Sequence, residues 1–296
     1  MHLNSEKTIN TFCATNIPAI SVSCGQTIAV ETLDAYGEQL LPEGTTREEM
    51  DTSRGNLATG PIYVEGAEPG DTLTVKIESI ETKSTAVVTC RKGAGFLGHM
   101  VEGSHVRRVP VRDKKIFYSD EIVIPIDPMI GVIGVAPANG ESINSYTPGK
   151  HGGNMDNKMI KAGATLYFPV AVPGALLALG DCHAIMGDGE VGISGAEISS
   201  TTTITVDVIK DRMMEYPMLE NDDTFSVIAS KEDLDGAALR ATELMLEFLE
   251  ARTVHSRPDL VMLMSLIGSL EICQVVDPLL TVRFVMPKKY FPGLRF

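Results

Sequence analysis

The chain contains no tryptophan, and aromatic residues make up only 5% of its 296 positions. A platform for stacking sugars or bases therefore has little to be built from. Cysteine is also sparse. Cys13, Cys24, Cys90, Cys182 and Cys273 are odd in number, scattered, and form no C-x-x-C pair. That spacing argues against a disulfide framework or a structural zinc knot, and it fits a reducing, cytoplasmic setting. Basic residues are outnumbered: 25 Lys and Arg face 39 Asp and Glu, for a formal net charge of −14. Such a chain is a poor partner for nucleic acid or an anionic membrane. Residues 1–15 lack the apolar stretch of a signal peptide, and the apolar run at 260–267 is too short to span a bilayer. What remains is an ordinary globular composition, 44% hydrophobic and 22% charged, long enough for a sizeable core.

Most of the first two hundred residues read as short strands cut by glycine and proline. The β-rich runs are 27–32, 61–65, 73–80, 116–126, 165–172, 176–179, 198–209 and 225–229. The period then changes. Leu234, Ala237, Ala238, Ala241, Leu244, Met245 and Phe248 recur at helical spacing, which predicts a helix over 231–252. Ser230 with Asp233 reads as its capping box. Ser256 and Pro258 open a second helix that runs to about Ile267, its methionines read as core filling, and 281–285 is a last strand. The expected class is mainly β (α+β), a β-sandwich or barrel-like core with a C-terminal helical portion. Residues 1–229 form the β-rich catalytic core, and 230–296 pack on it as helices and a final strand in one compact unit. A strand, a Pro-Gly turn and a second strand recur at 63–73 and 168–176, which reads equally as a duplicated β-unit or as a chance likeness of two β-hairpins.

The residues suited to chemistry lie between His151 and Glu197. In Gly180-Asp181-Cys182-His183, followed by Gly187-Asp188-Gly189-Glu190, an apolar strand ends in charge. If the strand continues, Asp181 and His183 face the same side, and an unpaired charge in an apolar core is costly. Carboxylates suit calcium, and imidazole with carboxylate suits zinc. His151-Gly152-Gly153-Asn154-Met155-Asp156 adds exposed amides able to polarise a carbonyl, and a further carboxylate. These residues read equally as a site or as a set of polar turns. Cys182 neighbours His183, but adjacent strand residues point to opposite faces, so the pair makes no thiol nucleophile. Gly192-Ile193-Ser194-Gly195 lacks the spacing of a serine elbow, and the glycine-rich run 93–98 lacks the Lys-Ser/Thr ending of a phosphate loop. His2, His99, His105 and His255 read as surface residues.

The same stretches resemble the acetamidase/formamidase family. The resemblance is carried by Thr165-Leu166-Tyr167-Phe168-Pro169-Val170, Gly174-Ala175-Leu176-Leu177, Gly180-Asp181-Cys182-His183, Gly187-Asp188-Gly189-Glu190 and Ala196-Glu197, with His151 to Asp156 upstream. It extends to Glu31-Thr32-Leu33-Asp34-Ala35, to 59–67 with Gly70-Asp71, and to Cys273-Gln274-Val275-Val276-Asp277-Pro278. It implies metal-dependent hydrolysis of a short linear amide to a carboxylic acid and ammonia, by a β-rich protein that binds zinc and/or calcium and assembles as a homodimer or higher homo-oligomer. Carried over residue by residue, the metal ligands are Asp156, His183, Glu197, Asp34 and Asp181. Glu190 is the general base, with Asp188 and His151 beside it. Asn154, or the Gly152 and Gly153 amides, hold the substrate oxygen. Arg54-Gly55-Asn56 departs from the family pattern, so Asn56 is not carried over as a ligand. The chain is shorter than long formamidases, which favours acetamide over formamide. Two other readings stand beside this one: a non-enzymatic calcium-binding β scaffold, and a lactamase acting on cyclic amides.

Overall fold

In a computed structural model, which describes residues 1–138, 140–294 and 296, two β-sheets face each other across one apolar core. The larger sheet has nine strands. In spatial order they are His2–Leu3, Thr27–Thr32, Ser200–Ile209, Thr72–Thr82, Thr165–Pro169, Met218–Glu220, Thr224–Lys231, Leu280–Pro287 and Ser269–Gln274. The smaller runs Gly152–Asn154, Met129–Gly134, Leu177–His183, Ala58–Val64 and Thr8–Ile9, with Ile20–Val22 added parallel to Ala58–Val64. Alternating side chains from both sheets meet between them: Ile28, Val30, Val75, Phe168 and Ile204 face Ile62, Ile130, Ile133, Leu177 and Leu179. Each such side chain, once buried, stabilises the fold by roughly 1.5–3 kcal/mol over leaving it in water. The architecture is a β-sandwich, as composition and strand spacing imply.

The two strand–Pro–Gly–strand segments are arches that cross between the sheets in opposite directions. The first leaves the smaller sheet at Ala58–Val64 and enters the larger at Thr72–Thr82; the second leaves the larger at Thr165–Pro169 and enters the smaller at Leu177–His183. Each strand of one arch pairs antiparallel with a strand of the other. The region read as one β-rich run at 116–126 is a hairpin of Lys115–Phe117 and Val123–Pro125. It is turned where the Ile122 amide donates to Ser119 Oγ at 3.1 Å. With Thr85–Arg91 and Ser104–Arg112 it forms a separate four-stranded sheet.

Helix α1 spans Leu234–Glu250 and α2 spans Arg257–Ile267. The N-cap of α1 is Asp233, whose side chain accepts the Gly236 amide at 2.7 Å. Ser230 does not cap it. The strand Thr224–Lys231 runs through Ser230, whose hydroxyl lies 3.0 Å from that of Thr281 in the sheet. Ser256 caps α2, with Pro258 in its first turn. Ala237, Ala241, Met245 and Phe248 form the buried stripe of α1 against Phe225, Val227, Phe284 and Met286. The larger sheet is thus covered on both faces over its C-terminal strands, and it continues across residue 229 without a break. On α2, Leu260 and Met264 are buried, whereas Val261, Met262 and Leu266 are exposed.

Candidate active site

Strict alternation along Leu177–His183 would send Asp181 and His183 into the core behind Leu177 and Leu179. Instead Cys182 joins that core, and Asp181 takes up the break with φ of +51°. The left-handed conformation is tolerated best by Gly, Asn and Asp. Here it turns both Asp181 and His183 to the other face. Asn56, Asp156 and Glu190 also have positive φ and, like Asp181, line one cavity of about 590 Å³. Non-glycine residues in this region cost of order 1–3 kcal/mol each and cluster where function holds them.

The floor of this cavity is a buried cluster around one imidazole. His183 Nε2 lies 2.9 Å from Glu197 Oε2, 3.5 Å from Asp181 Oδ1 and 4.0 Å from Glu190 Oε1, while Nδ1 lies 3.8 Å from Asp156 Oδ1. Two overlapping sets, Asp181–His183–Glu197 and Asp156–His183–Glu190, each converge to within 4.8 Å. The glycine at 131 permits this approach. A Cβ there would lie 2.5 Å from Asp156 Oδ1 and 2.7 Å from Asp181 Oδ2. Glu190 is fixed by the Gly195 amide, which donates to its Oε1 at 2.9 Å.

Several atoms of the cluster are buried with no hydrogen-bond partner: Asp156 Oδ1, Asp181 Oδ1, His183 Nε2 and Glu197 Oε2. Asp34 is also buried and feels the Asp181 charge. Its Oδ1 accepts the Tyr36 and Glu38 amides at 2.9 and 2.8 Å, and its Oδ2 has no partner. Buried polar atoms are normally paired, so such a convergence asks for a ligand. The electrostatics agree. Burial, then the Glu190 and Asp181 charges, push the Asp156 carboxyl well up; burial also raises Glu190 and Glu197 well above the carboxylate range. Burial raises Asp34 to about 6 against the pull of the two amides. Burial draws the His183 imidazole down, but Glu197 and Asp181 outweigh it and hold it high. One imidazole cannot neutralise this many carboxylates. A cation bound among oxygen and imidazole donors fits both the orphaned atoms and the excess charge.

Two residues assigned a direct role by sequence are placed elsewhere. Asp188 is turned away from the cluster into a clamp on Arg283, a fully buried guanidinium. NH1 and NH2 of Arg283 donate to Asp188 Oδ1 and Oδ2 at 2.9 and 2.7 Å, Nε donates to Glu271 at 2.7 Å, and NH1 reaches Asn157 Oδ1 at 3.0 Å. Lys158 pairs with Asp188 at 2.7 Å. A bidentate, buried partner is a stronger draw than the acidic cluster, which repels another carboxylate. His151 lines a different cavity, of about 300 Å³, with Ala136, Pro169 and Met214. Both its ring nitrogens lack partners, and burial lowers its pKa to about 4. The Gly152 amide donates to the Gly149 carbonyl at 3.1 Å, so it is not free for a substrate oxygen. His2, His99, His105 and His255 are exposed, and Cys182 is sealed in the core with burial pushing its thiol up.

Asp277 escaped the sequence reading. It lines the cavity, accepts from Asn154 Nδ2 at 2.9 Å, and is pushed well up by burial and by Asp156. Gln274 Oε1 holds it there by accepting the Val276 and Asp277 amides. The one available signal was the Cys273–Pro278 stretch of the family resemblance, whose Asp-Pro pair lies in the bend after the strand Ser269–Gln274. Asn56 is also in the lining, with its Oδ1 unpartnered. The buried Tyr36 also lines the cavity, as do Arg47, Arg91 and Tyr146, which reach solvent.

Comparison with known proteins shows which family and folds the chain is similar to. The sequence profile of the Acetamidase/Formamidase family matches residues 2–143 and 138–232. The crystal structure of an acetamidase from Bacillus halodurans superposes with a TM-score of 0.97, at 44% identity over 100% of both chains. A predicted acetamidase/formamidase from the thermophile Thermoanaerobacter tengcongensis gives a TM-score of 0.97 at 45% identity, covering 100% of this chain and 98% of that one. A formamidase of Methylophilus methylotrophus is 29% identical over 260 residues, which is 68% of this chain and 64% of that protein. The matches span less than two thirds of the length of the curated relatives, between 58% and 64%.

Proposed function

Because the chain belongs to the acetamidase/formamidase family, we propose that it hydrolyses short linear amides of the acetamide type to a carboxylate and ammonium. The observation that carries this reading is the convergence of unpartnered Asp156, Asp181, His183 and Glu197 atoms at the floor of an open cavity. These four residues would hold zinc or calcium, with Asp34 reinforcing the negative charge. A bound ion of this kind polarises a carbonyl and acidifies water.

The chain's own groups do the rest. Glu190 is raised by burial, which suits a carboxyl that takes a proton from water and returns it to the leaving nitrogen near neutral pH. The Gly195 amide fixes the carboxyl that moves this proton. Asn154 commits Nδ2 to Asp277 and keeps Oδ1 unpartnered, so it is suited to accept an N–H of the substrate amide rather than to hold its oxygen. Asp277 orients Asn154.

Two further expectations belong to this reading. All five cysteines are unbonded, which supports a reducing, cytoplasmic setting; no helix among the described residues is long and apolar enough to cross a membrane. Val261, Met262 and Leu266 on α2, with Leu270 and Ile272 on the following edge strand, leave apolar surface exposed, which supports a homo-oligomer.

Ammonia release from acetamide and formamide, measured before and after chelation and again with added zinc or calcium, tests the proposal. Activity that is lost and then restored supports it. Full activity in verified metal-free protein overturns the metal requirement. Metal-dependent melting with no ammonia from either amide would instead indicate a calcium-binding scaffold.

A further inference from the structure

The cavity is larger than acetamide requires. At about 590 Å³ it falls in the range of pockets that enclose drug-sized ligands, roughly 300–1,000 Å³. Acetamide leaves most of it empty. The acid cluster occupies only the floor, where Asp181 and Glu197 are buried. Arg47, half-buried, and Arg91, exposed, line the same cavity and bring the opposite charge.

Arg47 is held in place without an ion pair among the described residues. Its NH1 donates to Thr89 Oγ1 at 3.1 Å, and its guanidinium lies 4.9 Å from the centroid of the Tyr36 ring. Thr89 in turn lies 2.8 Å from the Tyr36 hydroxyl, and its amide donates to Ser194 Oγ, next to the Gly195 that fixes Glu190. The guanidinium is therefore built onto the frame that positions the proton-moving carboxyl. Arg91 stands two residues beyond Thr89 on the same strand, and its guanidinium has neither a hydrogen bond nor an ion pair among the described residues. Neither arginine neutralises the floor through a direct carboxylate contact. In a chain of net charge −14, two guanidiniums left unpaired by carboxylates in the same cavity mark a place for an anion from outside.

Resting on the amide-hydrolase reading above, we propose that the preferred substrates are amides whose acyl chain ends in an anion, ω-carbamoyl carboxylates of the succinamate class, with the amide on the floor and the distal carboxylate on Arg47 and Arg91. Water adds to the amide carbon and the C–N bond breaks. The proton from water passes through Glu190 to the leaving nitrogen, so succinamate and water yield succinate and ammonium. No oxidant or further reactant is needed.

The test compares kcat/KM for acetamide, butyramide and succinamate on the metal-replete protein. Butyramide matches succinamate closely in length but lacks the charge. Succinamate should exceed butyramide by about tenfold or more, the effect of a charge-assisted pair in a partly enclosed site. Its KM alone should rise with ionic strength. Arg47→Gln and the exposed Arg91→Glu should each lower the succinamate-to-butyramide ratio, and Arg47→Lys should restore part of it. Equal rates for succinamate and butyramide, or a ratio that neither substitution moves, overturns the proposal while acetamide turnover upholds the amidase reading. Turnover of none of the three overturns both.

Discussion

His183 Nε2 lies 2.9 Å from Glu197 Oε2, yet the two atoms are not aligned as a hydrogen bond and neither has a hydrogen-bond partner elsewhere. Atoms that approach this closely without bonding each other are placed as two ligands of a common cation are placed. His183→Ala should therefore release the ion, seen as lost metal by elemental analysis and as a melting temperature that no longer responds to chelator. Unchanged metal content would remove His183 from the ligand set.

Glu190 moves protons in the proposed reaction and is held by the Gly195 amide, an interaction that glutamine can keep. Glu190→Gln should lower kcat by about 10²–10⁴-fold, the usual contribution of general acid–base catalysis, with KM changed little. A variant retaining more than a third of the wild-type kcat would rule out this role.

At Gly131 a Cβ would meet both Asp156 and Asp181 closer than side-chain atoms tolerate. Gly131→Ala should push the two carboxylates apart, with loss of activity on the order of 10²-fold, as expected for displacement by about 1 Å. Thermal melting should separate this from unfolding. A fully active, folded variant would show that the two carboxylates need not meet there.

The clamp on Arg283 ties the Asp188 loop to Asn157 and to the strand Ser269–Gln274, segments that deliver Glu190, Asp156 and Asp277. Burial pushes the Asp188 carboxyl up, but Arg283 and Lys158 together outweigh it and hold it low. A depressed carboxylate stabilises the fold above its unfolded pKa, about 3.9, and that contribution disappears as pH falls through the folded value. Asp188→Asn should thus destabilise the protein at pH 7, and the difference from wild type should shrink towards pH 2. Its kcat should fall by roughly tenfold, less than for Glu190→Gln, because the residue positions rather than reacts. A stability difference independent of pH would contradict the ion-pair origin.

His151 is buried with a pKa lowered to about 4 by desolvation. Between that value and an unfolded value of about 6.5 the unfolded chain binds the extra proton, so stability is lost as pH falls through this window and levels off below it. The loss amounts to about 3 kcal/mol. Urea unfolding at pH 7 and pH 4.5 should show a smaller acid loss for His151→Gln than for the wild type. Equal losses would mean that His151 is not the group titrating.

What the sequence determined by itself was whatever depends on neighbours along the chain. The stripe of Ala237, Ala241, Met245 and Phe248 needs only helical period, and Ile28, Val30, Ile204 and Val206 need only alternation. The charge that ends Leu177–His183 was legible for the same reason, as were the repeated Pro-Gly arches. Tertiary structure alone decided which carboxylates meet. Asp188 and Glu190 are two residues apart in one loop, and their different fates follow from Arg283, which is 95 positions away from Asp188. Asp277 reaches Asn154 across 123 positions, and His151 faces a second cavity that no spacing announces. The left-handed turn at Asp181, which moves it and His183 off the core face, is a further case. Local pattern encodes which face of an element is apolar. The position of a buried charge is set by the partner that compensates it, and that partner comes from wherever the fold brings it.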